Sequence, residues 1–433
     1  MPAVQQVWVE VTNTLAAHFT SGFQRHTRGL LAHLPTDRPD ESGLLVTPVV
    51  WCAPCGGHRL LDTAEQDLLV RPPPPRPAPR ASLERLAERL PIGGELLVEV
   101  GGRPWVNRAR EAAARRRQGR EHDPESHPPL VRFARGDVFF ELEAGWHDPA
   151  PRDELLELLV GQGVRTGFLV ADLMPEQHPE WFSGVTVERF GRFLRAHLRW
   201  SDHVASISRS TTRDLATVAG ELGRTRPMQV VHVTMGADFD DAGARPPRSA
   251  GGPRTLLSVG SLEPRKNHAL LIDVFDRVRE RHADVELVLV GRETDLSSPL
   301  VERIRSHPEH GRRLRWEAHL DDAGLADAYS SAFLVLVPSR YEGYGIPVVE
   351  ALSRGVATIA ATGGALPEAG GDTAEYASAD EPDAWVDLVE LHLTDPFHHR
   401  AALERAAAFR PPTWEAAGGK LAAAFLEMGA VSS

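Results

Sequence analysis

Cysteine, lysine and long apolar runs are scarce in this chain of 433 residues. Its two cysteines, Cys52 and Cys55, are too few for a disulfide framework to support the fold. No run of about 18 apolar residues occurs, which argues against a membrane span. The first residues carry neither a basic segment nor a cleavable apolar stretch, so we expect a cytoplasmic protein. Acidic residues outnumber basic ones by 60 to 48, and the net charge of −12 argues against nucleic acid as the main partner.

Arginine supplies nearly all of the positive charge. Of the 48 basic residues, only Lys266 and Lys420 are lysines. The planar guanidinium of arginine and the compact ammonium of lysine suit different contacts. In a chain that otherwise uses arginine, a lysine therefore indicates a position that needs the ammonium itself. A solvated loop residue is the ordinary alternative for Lys266.

The composition is that of a globular α/β protein with two domains. Hydrophobic residues make up 42% and charged residues 25% of the chain, and 433 residues exceed what one core usually serves. Val7, Val9 and Val11 alternate with polar residues in a first strand, which leads through a glycine-bearing loop into a helix at 23–34. Further buried strands are predicted at 43–51, 95–100, 137–142 and 165–171.

From residue 228 the pattern becomes regular. Apolar strands alternate with amphipathic helices, which predicts a parallel sheet covered on both faces. These strands are expected at 255–260, 285–291, 333–337 and 356–361. We therefore divide the chain into a Rossmann-like domain at 1–227, a second at 228–410, and a C-terminal helix and tail at 411–433 that returns to the first domain.

Two segments interrupt the first domain. A proline-rich segment near 71–80 and an arginine-rich one near 103–129 are predicted to be surface insertions. The basic run at 108–120 could contact an anionic acceptor or the surface of a membrane, but a solvated helix face is the favoured interpretation.

The loops after the strands of the second domain carry the charged residues. In an open parallel sheet, ligands bind beyond the carboxyl ends of the strands. The loop at 261–267 contains Arg265 and Lys266, and the loop at 338–346 contains two glycines and leads into a helix beginning at Pro347. Fixed positive charge, close backbone approach and a helix N-terminus are what a diphosphate needs. The sequence therefore predicts a diphosphate site at this edge.

Two glutamates accompany these loops. Glu342 lies in the glycine loop, and Glu350 lies about one turn into the following helix. A carboxylate beside a diphosphate would repel it, so we expect both to accept hydrogen bonds from hydroxyls, Glu350 from a ribose and Glu342 from a sugar. Taken singly, each has an ordinary alternative as a solvated acid or an acid in a first helical turn.

Several segments resemble a known family. SVGSLEPRKNH, VELVLVG and EGYGIPVVE are similar to the C-terminal domain of retaining glycosyltransferases of family 4 (glycosyltransferase group 1). That family has the GT-B fold, in which two Rossmann-like domains face an interdomain cleft. FTSGFQRHTRGLL and VADLMPEQHPEWF resemble parts of its N-terminal domain, and the resemblance covers most of the chain except about 60–129. It implies transfer of a sugar from a nucleotide-diphosphate sugar, held by the C-terminal domain, to a carbohydrate, lipid-linked or small-molecule acceptor held by the N-terminal one.

The resemblance also assigns residues. Arg265 and Lys266 fall on the family's diphosphate-binding pair, Glu342 on the acid near the donor sugar, and Glu350 on the acid that binds the ribose. Arg265, Lys266 and Glu342 would be catalytic. The other positions that fall on its donor-binding loops are Gly22, Gly260, Ser261, Gly343, Tyr344, Gly345 and Ile346.

Two positions depart from the family. Ser261 stands where many members have an arginine, and Ala171 stands where many have a histidine, directly before Asp172. Asp172 is a candidate for acceptor binding or catalysis. We expect no metal and no cofactor beyond the nucleotide sugar, because Arg265 and Lys266 would stabilise the charge on the departing diphosphate.

Other interpretations stay open. A nucleotide-sugar epimerase or a phosphorylase could share this fold and phosphate site, and the two departures are compatible with a nucleotide-sugar-binding protein without turnover. The segment WCAPC resembles a thioredoxin-type redox motif, and Cys52, Cys55 and His58 offer three zinc ligands. Both lookalikes are disfavoured, since two glycines follow Cys55 where a helix should begin and no second pair of ligands stands nearby.

Overall fold

The computed structural model describes residues 4–16, 22–71, 128–143, 145–147, 150–237, 252–294, 296–318 and 320–430. The predicted strand at 95–100 and the basic run at 108–120 lie outside the described residues, and the two predicted insertions lie almost wholly outside them.

A seven-stranded sheet forms the first unit. Its strands are β1 (Gln5–Glu10), β2 (Leu44–Cys52), β3 (Gly57–Leu60), β4 (Val138–Glu141), β5 (Arg165–Val170), β6 (His203–Ser206) and β7 (Gln229–His232). The strand order is β3-β2-β1-β4-β5-β6-β7, and only the β2–β3 pair is antiparallel. Apolar side chains of β1, β4 and β5 are almost fully buried, as expected for parallel strands covered on both faces.

Helices connect these strands and cover the sheet. They are α1 (Thr12–Ala16), α2 (Gly22–Leu31), α3 (Thr63–Val70), α4 (Arg152–Gly161), α5 (Met174–Gln177), α6 (Gly184–Trp200) and α7 (Arg209–Glu221). Hydroxyls fix where the longer ones begin: Ser183 accepts a hydrogen bond from the Thr186 N–H at the start of α6, and Ser208 accepts one from the Thr211 N–H at the start of α7.

A second, wholly parallel sheet has six strands. They are β8 (Arg254–Val259), β9 (Val285–Val290), β10 (Leu314–Glu317), β11 (Leu334–Val337), β12 (Thr358–Ala361) and β13 (Glu375–Ala377). The order is β10-β9-β8-β11-β12-β13. The connecting helices are α8 (His268–Val278), α9 (Ser298–Ser306), α10 (Asp322–Ser331), α11 (Ile346–Ser353), α12 (Leu366–Gly370), α13 (Pro382–Thr394) and α14 (Pro396–Ala408). The predicted α/β class with two parallel sheets is thereby confirmed.

The boundary between the two units lies further along the chain than the sequence places it. Strand β7 follows the predicted boundary at 227/228, yet it pairs with β6 of the first sheet, with His203 opposite Gln229. This edge strand has four residues and none of them is buried. Its apolar signal therefore does not distinguish it from the strands that follow. The first sheet extends to His232.

The last helix, α15 (Trp414–Ala430), returns to the first unit as predicted. It packs against α2 and against strands β1, β2, β4 and β7. The rings of Phe425 and Phe140 lie 5.1 Å apart between their centroids. Searching the described residues for a helix that is long and apolar enough to cross a membrane finds none.

The two cysteines form a disulfide at a hairpin turn. Cys52 ends β2, a turn follows, and Gly57 begins β3. One disulfide is not a framework, but it does link the end of β2 to the turn that leads into β3. No helix begins at Cys52, as a thioredoxin-type site would require, and the paired sulfurs leave no thiolate to bind zinc. His58 is instead buried between the rings of Trp51 and Phe139.

The docking of α15 gives a stability prediction. The Trp414 ring lies so close to helix α2 that a Cβ on Gly29 would sit 2.5 Å from it. Gly29→Ala should therefore destabilise the protein by about 1–3 kcal/mol through overpacking. The matched control is Gly220→Ala, also within a helix but facing open space, which should stabilise by about 0.5–1 kcal/mol. Melting temperatures check the order of the two variants, and a Gly29→Ala protein as stable as the Gly220→Ala protein would disprove the docking.

Candidate active site

Three loops meet at the carboxyl edge of the second sheet, as predicted. They follow β8, β11 and β12, and backbone hydrogen bonds join them: the Arg340 N–H donates to the Arg265 carbonyl at 2.8 Å, and the Ala365 N–H donates to the Glu342 carbonyl at 2.9 Å. Gly364 has φ of 61°, and a Cβ there would lie 2.9 Å from the Glu342 nitrogen. Only glycine allows this approach, which holds the Glu342 backbone in place.

Glu342 joins the two predicted cations into one buried cluster. Its Oε1 contacts the Lys266 ammonium and accepts a hydrogen bond from the Ser339 hydroxyl at 2.7 Å, while its Oε2 lies 3.3 Å from Arg265 Nη1. Burial alone would raise the pKa of Glu342, but the charges of Lys266 and Arg265 outweigh it and lower this pKa to about 2. The carboxylate is therefore ionised and neutralises positive charge inside the cleft.

A second acid, Glu263, lies on the other side of Arg265. Its Oε2 is 2.7 Å from Arg265 Nε, and its Oε1 accepts a hydrogen bond from the Ser261 hydroxyl at 2.7 Å. Sequence reasoning missed this acid, although it lies two residues before Arg265. Ser261 thus orients Glu263, at the position where the resembled family often has an arginine.

The loop that carries Lys266 is bent by a left-handed residue. Asn267 has φ of 56° and is the one such residue, other than glycine, in the described part of the chain. Its side chain does not cap α8 but donates a hydrogen bond to the Ala379 carbonyl at 2.9 Å. Gly260 lies beneath the lysine, since a Cβ there would come 3.3 Å from Lys266 Cδ. The backbone at Gly260 and at Asn267 therefore fixes the direction in which the Lys266 ammonium points.

Asp172 brings the first unit to this cluster. It follows β5, and its Oδ1 accepts a hydrogen bond from the Met174 N–H at 3.1 Å. A Cβ on Gly343 would lie 3.0 Å from Asp172 Cβ, so the glycine is needed where the two units meet. Burial raises the pKa of Asp172 to about 6, against the opposing charge of Arg265, and Glu342 and Glu263 add to the rise.

Glu350 contacts both units. The Tyr329 hydroxyl donates to its Oε2 at 2.8 Å, and Arg25 of helix α2 donates to its Oε1 at 3.1 Å. Burial raises the pKa of Glu350, while Arg25 and the Tyr329 hydrogen bond oppose the rise. Neither partner was predicted from the sequence. Arg25 is one of many arginines, and Tyr329 lies on a helix face whose pattern is typical of residues in a hydrophobic core.

The remaining predicted donor-binding positions surround the start of α11. Gly345, with φ of 106°, is the N-cap residue of this helix. Gly22 of the first unit lies close to the same point, since a Cβ on it would come 3.0 Å from Ile346 Cδ1. The Tyr344 side chain is buried in the hydrophobic core. Tyr344 can therefore face a ligand only through its backbone.

Two further contacts join the units at the mouth of the cleft. The Tyr341 hydroxyl contacts the Asp214 carboxylate. Glu368 accepts hydrogen bonds from the backbone of Arg209 and Ser210, the first residues of α7, with the Arg209 N–H 2.9 and 3.0 Å from its two oxygens. A carboxylate at a helix N-terminus is favourable. Together with Arg25 and Asp172, these contacts bring the two units together in the structure.

Comparison with solved structures identifies the fold. The chain is similar to HepE from Anabaena in complex with UDP-glucose, with a TM-score of 0.59 at 13% identity over 98% of this chain and 99% of that one. It is also similar to sucrose-phosphate synthase from Thermosynechococcus elongatus, with a TM-score of 0.57 at 17% identity over 99% and 100% of the two chains. The chain consists of two α/β units, each built on a largely parallel sheet. Together with the similarity to these two structures, this arrangement defines the GT-B fold.

A match to a known family model lies in the second unit. Residues 242–409 match the model of the family described as "Glycosyl transferases group 1". The cluster of Arg265, Lys266 and Glu342, together with Glu350, lies within these residues.

The chain matches curated relatives over only part of their length. The chain is 26% identical over 274 residues to the serotype-specific mannosyltransferase WbdA of Escherichia coli, which is 60% of this chain and 34% of that protein. It is 36% identical over 136 residues to the phosphatidyl-myo-inositol mannosyltransferase of Mycobacterium tuberculosis, which is 30% and 34% of the two. The chain thus spans about a third of the length of these relatives.

The raised pKa of Asp172 gives a prediction about stability. The folded protein holds this proton more tightly than the unfolded chain, whose aspartate titrates near 3.8. Stability contributed by the protonated form is therefore present below pH 4 and is lost as pH rises to about 6 and beyond, at a cost on the order of 3 kcal/mol. Asp172→Asn keeps an acceptor for Met174 and removes this titration, so it should gain in melting temperature relative to the parent between pH 4 and pH 7.5.

The exposed Asp387→Asn variant controls for the loss of one carboxylate. If the difference between Asp172→Asn and the parent is the same at both pH values, Asp172 does not titrate in this range and its placement against the acidic cluster is wrong.

Proposed function

We propose that this protein is a glycosyltransferase that moves a hexosyl unit from a nucleotide-diphosphate sugar to an acceptor hydroxyl in the cleft between its two units. The observation that carries the proposal is the buried cluster of Lys266, Arg265 and Glu342 at the carboxyl edge of the second sheet, within the residues that match the group 1 glycosyltransferase model. Two cations on one loop, at the place where parallel sheets bind ligands, suit a diphosphate.

The diphosphate would replace Glu342 as the partner of the two cations. In the ligand-free protein Glu342 and Glu263 together balance the two positive charges, and a bound diphosphate would bring the negative charge that allows the Glu342 carboxylate to turn away. Glu342 would then accept a hydrogen bond from a hydroxyl of the donor sugar. As the bond to the sugar breaks, charge grows on the leaving diphosphate, and Lys266, Arg265 and the amides at 343–346 would stabilise it in the transition state. Other sugar transferases use a metal ion to stabilise this charge, and we propose that no metal ion is needed at this position.

Glu350 would hold the ribose of the donor. Each carboxylate oxygen can accept more than one hydrogen bond, so a ribose hydroxyl can be added beside Tyr329 and Arg25. Because Arg25 belongs to the first unit, the ribose site would form fully only when the units are together. That coupling favours reaction in a closed cleft from which water is excluded.

Asp172 lies where an acceptor hydroxyl would enter. With its pKa near 6 it is largely ionised at neutral pH and could accept a proton from the acceptor. The alternative that we favour is attack from the same face that the diphosphate leaves, with a phosphate oxygen taking the proton. In the donor complex Glu342 would accept a hydrogen bond from a hydroxyl of the donor sugar, so we do not assign it the role of nucleophile.

The substrates are inferred from relatives. Several curated relatives are named mannosyltransferases, and HepE was solved with UDP-glucose. We propose GDP-mannose and UDP-glucose as the first donors to test, and a carbohydrate, lipid-linked or small-molecule acceptor. A cytoplasmic location is part of the same proposal, and contact of the basic run at 108–120 with a membrane stays the less favoured prediction from the sequence.

The two lysines supply the experiment that tests the function. Lys266→Ala should lower turnover about a hundredfold, because a cation aimed at the leaving diphosphate acts most strongly in the transition state. Lys420→Ala removes the only other lysine, an exposed one on α15, and should leave turnover unchanged. Release of nucleoside diphosphate is measured with each trial donor, with and without acceptors.

Equal turnover in the Lys266→Ala and Lys420→Ala proteins would show that the diphosphate binds elsewhere. Nucleotide-sugar binding by the parent without release of nucleotide would favour the non-catalytic alternative.

The stereochemistry of the product gives a second prediction. Double displacement needs a carboxylate nucleophile about 5 Å from its acid/base partner across the bond that breaks. In our proposal Glu342 binds a hydroxyl of the donor sugar, and we expect attack on the same face instead, so the fresh product should keep the anomeric configuration of the donor. Proton NMR during the first turnovers reads this directly. An inverted product would contradict the proposal, and a trapped glycosyl-enzyme adduct would exclude attack on the same face.

A further inference from the structure

A group of histidines lies at the edge of the second sheet opposite the candidate active site. Glu375 begins β13 and pairs with Ile359, whereas Ala377 at the carboxyl end of that strand pairs with Ala361. His392 lies near the end of α13, and His398 lies in the first turn of α14. The three side chains therefore come from three consecutive elements and meet beneath the sheet.

Their ligand atoms converge on one point. His392 Nε2 lies 3.0 Å from Glu375 Oε2, and His398 Nε2 lies 3.2 Å from the same oxygen. The three ligand atoms all lie within 4.8 Å of one another. In a tetrahedral zinc site with bonds of about 2.0–2.2 Å, neighbouring ligand atoms are about 3.3 Å apart. The two distances from the carboxylate to the imidazoles differ from this by a few tenths of an ångström, and the two imidazole nitrogens lie within 4.8 Å of each other.

Surrounding contacts hold each of the three side chains. The Asp395 carboxylate accepts hydrogen bonds from the Phe397 and His398 N–H groups at 2.9 and 3.1 Å and so fixes the first turn of α14. Arg405 donates to Glu375 Oε1 at 2.7 Å and so orients the carboxylate, whose Oε1 and Oε2 lie 3.0 and 3.2 Å from His398 Nε2. His392 Nδ1 lies 3.0 Å from His399 Nδ1. A second imidazole nitrogen bonded to a polar partner is the usual support of a metal-binding histidine.

We propose that Glu375, His392 and His398 bind one zinc ion, with water as the fourth ligand. Two neutral imidazoles and a carboxylate are ligands that zinc favours. His392 is buried, while the Glu375 and His398 side chains are 15% and 25% exposed, which gives the ion a path from solvent. The ion ties β13 to α13 and α14 and stabilises the second unit. Because it lies at the amino edge of the sheet, it takes no part in the chemistry at Lys266.

Zinc titration of the whole protein tests the site. The parent, freed of metal by a chelator and dialysed, should bind zinc one-to-one in calorimetry and gain in melting temperature. With Co²⁺ in place of zinc it should show the visible absorption of a four-coordinate centre. His392→Ala/His398→Ala should weaken zinc binding by about a hundredfold or more. His33→Ala/His310→Ala, which removes two exposed histidines, should bind zinc like the parent.

Because His392 is buried, its loss could unfold the region. His398→Gln and Glu375→Gln keep the size of more exposed ligands, and each should weaken zinc binding while the apo protein melts near the parent's temperature. No saturable binding by the parent would overturn the proposal and leave the group as a hydrogen-bonded cluster. Equal zinc affinity in the parent and in His392→Ala/His398→Ala would also overturn it.

Discussion

The ion pair between Lys266 and Glu342 is the interaction on which the candidate active site depends. Two buried cations on one loop would repel each other and would be costly to desolvate without a carboxylate beside them. Glu342 supplies that charge, and its position is fixed by the Ser339 hydroxyl and by glycines that let three loops interlock. In our proposal the cluster is close to neutral in the ligand-free protein, and a diphosphate would bring the negative charge that releases Glu342. A ligand with less negative charge would release Glu342 less well, so the cluster would also favour a diphosphate over such a ligand.

The same cluster determines how the two units meet. Gly343 lies against Asp172, and the neighbouring helix presents Glu350 to Arg25 of the first unit. The tail reinforces this arrangement, since α15 leaves the second unit and packs on the first sheet. Donor binding and closure of the cleft would therefore be coupled through residues of both units. Asp172, whose pKa is raised by burial and by the neighbouring acids, would respond to any change of charge at Glu342.

The sequence was sufficient for the four central strands of the second sheet and for the loop that carries Lys266, because buried parallel strands appear as apolar runs and their carboxyl ends must share one edge. It did not predict the short edge strands β10 and β13. It was insufficient wherever partners come from distant segments with no pattern of their own. Arg25 and Tyr329 contact Glu350 only through the packing of two units, and β7 is too short and too exposed to reveal its sheet. Glu375, His392 and His398 follow no spacing that would indicate a metal site, and only the crossing of α13 and α14 beneath β13 brings them together.

The most direct measurement is a crystal structure of the protein with a bound nucleoside diphosphate. The account predicts phosphate oxygens within hydrogen-bonding distance of Lys266 Nζ and of the Arg265 guanidinium, a ribose hydroxyl on Glu350, and a Glu342 carboxylate turned away from Lys266. A diphosphate bound elsewhere, with the contact between Lys266 and Glu342 intact, would contradict it.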